Sequence, residues 1–278
     1  MELTEGVKTH AHHSREKGSR SGESRYHLMD EQAALHEAIE KLYATFASYP
    51  LHHPVVGCTC CVSKADQDRI TSKALRQLDG SDLERFTWKA MSTWGDENDF
   101  RHFLPRVLEL MSDAQERRNL PDLFVVFGKL SYGHCEMWPK QEQEAITNYW
   151  LALWRWILAG HPGREEDSLV ASAYLEAMLD GIDDFAPFLN TWPDMRMPSS
   201  LRQLSEMIRN HSWGCPLAQN KQILAWLRED GTKEMLEEGF YAYMDEDWAE
   251  ELALAVEVLE WLRTPSQQPH PTTTEIAP

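Results

Sequence analysis

Apolar residues recur three or four positions apart from Asp30 to Arg263. This spacing puts apolar side chains on one face of a helix and predicts a series of amphipathic α-helices. The one β-like run, Leu123 to Phe127, also suits a buried helix. The pattern therefore predicts an all-α fold.

The pattern divides this region into helices that are separated by turn residues, with Ser81 and Glu84 matching the capping-box pattern at one helix start. The connections are short, which favours packing of consecutive helices as antiparallel hairpins. The predicted helices cover residues 30–47, 65–78, 82–93, 98–112, 121–131, 140–159, 166–179, 184–191, 200–210, 216–229, 232–243 and 247–263.

A short motif occurs twice in the chain. Asp-Phe-x-x-Phe-Leu spans residues 99–104 and again 184–189, an offset of 85 residues. That offset is about twice the repeat length of about 40–47 residues in HEAT and armadillo proteins. We therefore expect stacked antiparallel hairpins, arranged as a degenerate HEAT- or armadillo-like α-solenoid. Chance is the alternative, because any short amphipathic helix can begin this way.

The two ends of the chain differ from the helical region. Residues 1–28 are polar and lack the apolar segment of a secretory signal, which predicts a disordered N-terminal extension. Residues 264–278 contain four prolines and predict a flexible tail. Between them, residues 29–263 are expected to form a single all-α domain.

Composition narrows the classes of function. The 278 residues include 27 Lys and Arg against 45 Asp and Glu, a net charge of -18. This balance argues against nucleic-acid binding, which depends on basic clusters. The chain contains no run of 18 apolar residues, so the sequence predicts no membrane-spanning helix. The chain has five cysteines, and an odd number argues against a framework of paired disulfides. Since a signal peptide is also missing, we expect a reduced, cytoplasmic protein.

Two stretches carry a resemblance. HPVVGCTCCV at 53–62 and TWGDENDFRHFLPRVLEL at 93–110 resemble a family of uncharacterised bacterial proteins. In that family a cysteine-containing loop is followed by Trp-Gly-Asp and Phe-Leu-Pro. The resemblance implies a bacterial cytoplasmic origin and an alternative start at Met29, and it implies no activity.

The first candidate site is the cysteine-rich stretch at 52–61. Thiolate and imidazole groups suit Zn²⁺, so His53, Cys58, Cys60 and Cys61 are candidate metal ligands. The spacing differs from that of known zinc fingers, because Cys58 and Cys60 form a Cys-x-Cys pair, which is a strained chelate for one tetrahedral ion. The alternative is a loop in which small cysteines fill space between the first two helices.

The second candidate site is the acidic segment Trp226–Arg263. It has twelve acidic and three basic residues, a net charge of -9, with aromatic residues between them. Acids could steer a basic protein partner while aromatics supply binding energy, and the alternative is an ordinary solvated helix face. The candidate partner-binding residues are Glu237, Glu238, Tyr241, Tyr243, Asp245, Asp247, Trp248, Glu250 and Glu251.

Recognised catalytic motifs are missing from the chain. It has no Gly-rich phosphate loop, Gly-x-Ser-x-Gly, His-Glu-x-x-His or EF-hand loop. We therefore expect a non-enzymatic acidic helical protein that binds a basic partner, such as an immunity or inhibitor protein for a toxin. It would need no cofactor and no small-molecule substrate. The alternatives are a zinc-binding enzyme or sensor that uses the cysteine loop, and a structural scaffold.

Overall fold

The computed structural model describes the backbone of residues 6–51, 54–160, 170–179, 181–210, 217 and 220–263, and within these ranges the side chains from residue 26 onward. These residues are mostly helical. Within the described ranges, extended pairing is limited to isolated bridges from Trp94 to Gly57 and to Ala90. The all-α prediction is confirmed.

The helices of the described residues are numbered in chain order. Their bounds are Gly6–Phe46 (α1), Lys64–Ile70 (α2), Gly80–Lys89 (α3), Glu97–Ser112 (α4), Leu123–Tyr132 (α5), Lys140–Ala159 (α6), Ala171–Met178 (α7), Ala186–Leu189 (α8), Thr191–Asp194 (α9), Pro198–Asn210 (α10), Lys221–Leu227 (α11), Asp230–Ala242 (α12) and Ala249–Arg263 (α13). Short 3₁₀ turns cover Leu75–Gln77, Glu116–Asn119 and Cys135–Met137.

The first helix begins earlier than expected. Helix α1 starts at Gly6, so its backbone runs through most of the segment predicted to be a disordered extension. Among the described side chains, Leu28 is the first that packs on the core. Glu31 then pairs with Arg155 of α6 at 2.6 Å. The predicted boundary at residue 29 therefore stays a prediction.

Helix α3 shows a cap that differs from the predicted one. Asp79, rather than Ser81, is the N-cap, and its side chain accepts a hydrogen bond from the Asp82 amide at 3.0 Å. The Asp82 carboxylate accepts from the Asp79 amide in return at 3.1 Å. Aspartate caps a helix as well as serine does. The Asp79–Asp82 capping box precedes the Ser81–Glu84 pair along the chain, and the helix begins at this earlier pair.

A single cluster of buried apolar side chains extends from Leu35 to Leu262. Helix α1 packs mainly against α6 and also against α4, while α13 packs against both α10 and α12. Aromatic rings form much of the centre, where Trp154 stacks on Tyr174 at 5.6 Å and meets Trp192 edge-on at 4.9 Å. The cluster includes Val55 and Val62, on either side of the cysteines, as well as residues of the acidic segment.

The two copies of Asp-Phe-x-x-Phe-Leu occupy different kinds of element. The first lies within α4, a helix of 16 residues that Asp96 caps. The second spans the start of α8, a helix of four residues. The solenoid arrangement stays a prediction. The predicted tail at 264–278 lies outside the described residues, and no described helix is both long and apolar enough to cross a membrane.

Candidate metal site and acidic surface

The cysteine turn, defined as residues 54–62, connects α1 to α2 and is attached to the turn between α3 and α4. The Cys58 amide donates to the Thr93 carbonyl at 2.8 Å, and the Gly95 amide donates to the Val56 carbonyl at 2.7 Å. Val55 and Val62 are buried in the core. The turn is therefore held by backbone bonds and by apolar contacts at both ends.

Its backbone folds tightly around one carbonyl group. The amides of Cys61 and Val62 both donate to the Cys58 carbonyl at 2.9 Å. Gly57 packs directly against Val62, because a Cβ atom at position 57 would lie 2.8 Å from the Val62 Cβ. The absence of a side chain at Gly57 lets this turn close.

The closed turn brings three thiols together. The Cys58 and Cys60 sulfurs are 2.9 Å apart, and those of Cys60 and Cys61 are 3.5 Å apart. All three sulfurs lie within 4.8 Å of one another, and the turn is accessible to solvent. Consecutive side chains on an extended chain point in opposite directions, so the turn itself creates this cluster.

The three thiols change one another's acidity. Hydrogen bonds from Cys60 and Cys61 lower the pKa of Cys58 to about 7. The same interaction with Cys58 raises the pKa of Cys60 to about 11. The cluster therefore releases its first proton near neutral pH, and the resulting thiolate at Cys58 is stabilised by its neighbours.

Basic side chains from α3 lie beside the turn. Lys89 Nζ donates to the Cys61 carbonyl, and Arg85 Nη2 donates to the same oxygen at 3.3 Å. Arg85 also pairs with Asp66 at the start of α2, with 3.0 Å between Nε and Oδ1. These contacts fix the C-terminal end of the turn.

Three of the four predicted metal ligands therefore come together. Within the described residues, Cys58, Cys60 and Cys61 form the group that could hold a metal ion. His53 lies outside the described residues, so its role stays a prediction. Cys135 belongs to a different region, the 3₁₀ turn before α6. No pattern in the sequence indicates the hydrogen bond from the Cys58 amide to the Thr93 carbonyl, which holds the turn in place. Thr93 lies 35 residues after Cys58.

The acidic surface, defined as the predicted residues between Glu237 and Glu251, is less uniform than its sequence. Its exposed members are Glu238, Tyr241, Asp245, Asp247 and Glu250. Its half-buried members are Glu237, Tyr243 and Glu251. Helix α12, the following turn and the start of α13 supply these residues, so they come from one continuous stretch of chain.

Several of these acids are paired within the protein. Arg196 contacts Glu238 at 2.5 Å, and Arg209 contacts Glu251 at 3.4 Å. Lys233 contacts Glu237 at 3.4 Å. Arg196 and Arg209 lie outside the acidic segment, before and within α10, so the segment's own charge overstates the negative potential of this surface.

Trp248 does not serve as an exposed aromatic anchor. It is 8 % exposed, its ring lies 5.1 Å from Tyr243, and Arg202 of α10 lies 5.5 Å over its face. Tyr241 is 71 % exposed, and the neighbouring Met244, which is not among the predicted partner-binding residues, is 63 % exposed. Tyr241 and Met244 therefore supply the accessible apolar area of this surface.

Comparisons with protein-family models, with curated proteins and with solved structures found no match for this chain.

Proposed function

We propose that this protein binds a soft metal ion, with Zn²⁺ as the first candidate, through Cys58, Cys60 and Cys61. The observation that carries the proposal is the approach of three accessible thiols to within 4.8 Å of one another. Thiolates select soft or borderline ions such as Zn²⁺ and Cu⁺. A metal-binding or metal-sensing role accounts for this cluster more directly than space filling, because Cys58 and Cys60 are exposed and only Cys61 packs partly against the core.

The geometry is close to that of a zinc site. With Zn–S bonds of about 2.3 Å in a tetrahedron, sulfur ligands lie about 3.8 Å apart. The Cys60–Cys61 distance is 3.5 Å, and the shorter Cys58–Cys60 distance of 2.9 Å would open by side-chain rotation as the ion enters. Three protein ligands leave the fourth position for His53, for water or for an exchangeable ligand.

Proton release supports the same function. Metal ligands must be deprotonated, and the pKa of Cys58 at about 7 means that about half of the Cys58 side chains are thiolates at pH 7. A cation bound at Cys58 would then attract negative charge and promote ionisation of Cys60, whose pKa is about 11 in the free protein. Metal affinity should therefore rise with pH.

The test measures metal content and zinc affinity of reduced protein. We expect about one Zn²⁺ per chain, and we expect Cys58→Ser, Cys60→Ser and Cys61→Ser each to weaken binding by at least about tenfold. Cys135→Ser is the matched control, since Cys135 lies outside the cluster, and it should retain the metal. Less than about 0.1 Zn²⁺ per chain after reconstitution would contradict the proposal.

A second candidate function is the binding of a basic protein partner on the acidic surface, as an immunity or inhibitor protein would bind a toxin. Tyr241 favours it, because a tyrosine exposed by 71 % beside exposed acids could anchor such a partner. Charge would then speed association more than it strengthens the complex.

Affinity purification from the host at increasing salt tests this second function. Tyr241→Ala and Asp247→Lys/Glu250→Lys should each release a partner that the wild type retains. Glu84→Lys on α3 is a control, because Glu84 is equally exposed but distant in sequence from this surface. Retention of the same partner by all variants would contradict it.

A further inference from the structure

A cleft of about 320 Å³ lies between α5, α6 and the chain that leads into α8. Its floor consists of the buried rings of Phe127, Trp150 and Phe188. Phe127 and Trp150 stack with their ring centres 4.3 Å apart, at an angle of 26°. These rings are at most 2 % exposed, so they form an apolar base, and the apolar surface open to a ligand is that of Ile182 and Pro187.

One rim of the cleft is the 3₁₀ turn Cys135–Met137, which carries Glu136. Gln143 of α6 holds this turn in place, since its Nε2 donates to the carbonyls of Glu136 at 3.0 Å and Trp138 at 2.7 Å. The turn's own Cys135 is half-buried, and burial raises the pKa of its thiol to about 11. Cys135 therefore contributes a neutral, weakly polar surface.

The opposite rim is the turn Gly181–Asp184, and another glutamine holds it. Gln222 of α11 donates from Nε2 to the Asp183 carbonyl at 2.5 Å and accepts from the Phe185 amide at 2.9 Å. Gly181 closes this rim onto the floor, because a Cβ there would lie 3.3 Å from the Phe127 carbonyl oxygen. Both rims are thus fixed by hydrogen bonds before any ligand arrives.

The charge around the cleft has one sign. Among the described residues, its lining includes the exposed carboxylates of Glu136, Asp183 and Asp184 and no Lys, Arg or His. Glu136 uses one oxygen with His134 at 3.2 Å, and Asp184 accepts from the Ala186 amide at 3.0 Å. Each carboxylate has a second oxygen for a ligand.

We propose that this cleft binds a small organic cation, an ammonium ion joined to an apolar body. The apolar body would lie against Ile182 and Pro187, above the buried rings, and the ammonium group would meet the carboxylates at the rim. Carboxylates form charge-assisted hydrogen bonds with an ammonium group. A neutral ligand of the same shape would lose this contribution, and an anion would be repelled.

This site is independent of the proposed metal site. Its lining contains none of Cys58, Cys60 and Cys61. Loss of metal binding would therefore leave the cation proposal unaffected, and the reverse also holds.

The test uses three ligands of matched shape: phenethylammonium, 2-phenylethanol and phenylacetate. Calorimetric or ligand-observed NMR titration of the full chain should give saturable binding of phenethylammonium. Binding of the alcohol should be at least about tenfold weaker, which corresponds to about 1.4 kcal/mol. Phenylacetate should not bind measurably.

Two variants separate the contributions of charge and shape. Asp183→Asn/Asp184→Asn should weaken phenethylammonium binding about fivefold or more while leaving that of the alcohol unchanged, since asparagine retains the shape and can still accept from the Ala186 amide. Thr147→Trp should block the cleft and weaken both ligands, and Glu144→Gln, on the same helix outside the lining, should change neither.

Circular dichroism would confirm that each variant is folded before its binding is compared. Equal binding of amine and alcohol, no effect of the Asn variant, or no saturable binding of phenethylammonium would each overturn the proposal.

Discussion

The cysteine turn takes its three sulfur atoms from four consecutive residues, whereas the acidic surface combines residues from two helices with cations from other parts of the chain. In the turn, bonds from Cys58 to Thr93 and from Gly95 to Val56 fix the arrangement. On the acidic surface, Arg196 and Arg209 partly neutralise the charge that the segment carries. The cysteines that are neighbours in sequence therefore also form one cluster in the structure. In the acidic segment, part of the negative charge is instead neutralised by ion pairs with arginines from elsewhere in the chain.

The largest expected effect separates buried from exposed aromatics on the acidic surface. Trp248→Ala should lower the free energy of unfolding by about 3 kcal/mol, because the ring is buried against Tyr243 and under Arg202. Tyr241→Ala should change it by less than about 0.5 kcal/mol. Urea unfolding measures both, and equal costs would show that Trp248 is not part of the core.

A smaller effect tests how the cysteine turn closes. Gly57→Ala should cost about 2 kcal/mol of stability and weaken zinc binding, because the new Cβ would meet Val62 at 2.8 Å. Gly128→Ala is the control: in α5, nothing lies within 4 Å of its Cβ position, and alanine there should stabilise the helix by about 0.5 kcal/mol or more. A neutral Gly57→Ala would indicate that the turn can open without loss.

The third effect concerns the acidity of Cys58. Its folded pKa of about 7 is below the ordinary 9.0, so the reactive thiolate should persist until the pH falls through about 7. Cys60→Ala removes the largest cause and should slow alkylation of Cys58 at pH 7 about fivefold. Mass spectrometry of the Cys58 peptide after iodoacetamide treatment measures this, with Cys135→Ala as control. An unchanged pH profile would contradict the account of the thiol hydrogen bonds.

The smallest effect tests an ion pair on the acidic surface. Glu238→Gln should change the free energy of unfolding by less than about 0.5 kcal/mol, because Glu238 and Arg196 are exposed. The change should shrink further at high salt. Unfolding in low and high salt measures it, and a cost above about 1 kcal/mol would mean that this pair helps to hold the surface together.

Much of the helical architecture followed from residue spacing. The predicted helix at 140–159 matches α6, whose long apolar stripe leaves little ambiguity. The prediction for 65–78 was too long: α2 ends at Ile70, where Thr71 and Ser72 donate their hydroxyls to the carbonyls of Gln67 and Arg69 at 3.1 and 2.7 Å. Such local bonds compete with helix continuation, and periodicity does not register them.

The candidate sites were predictable only where their parts are neighbours in sequence. The three cysteines could be named from the sequence, but the turn that gathers them depends on bonds to Thr93 and Gly95. The pairing of Glu238 with Arg196 joins residues 42 positions apart. The cation cleft brings together Glu136 and Asp183, which no local pattern connects. Contacts of this length depend on tertiary packing.

Zinc K-edge X-ray absorption of the reduced, zinc-loaded protein tests the central claim most directly. We predict three sulfur ligands at about 2.3 Å and one lighter ligand that completes the shell. A shell of nitrogen and oxygen alone, or a spectrum that Cys58→Ser leaves unchanged, would contradict the assignment of the cysteine turn as a metal site.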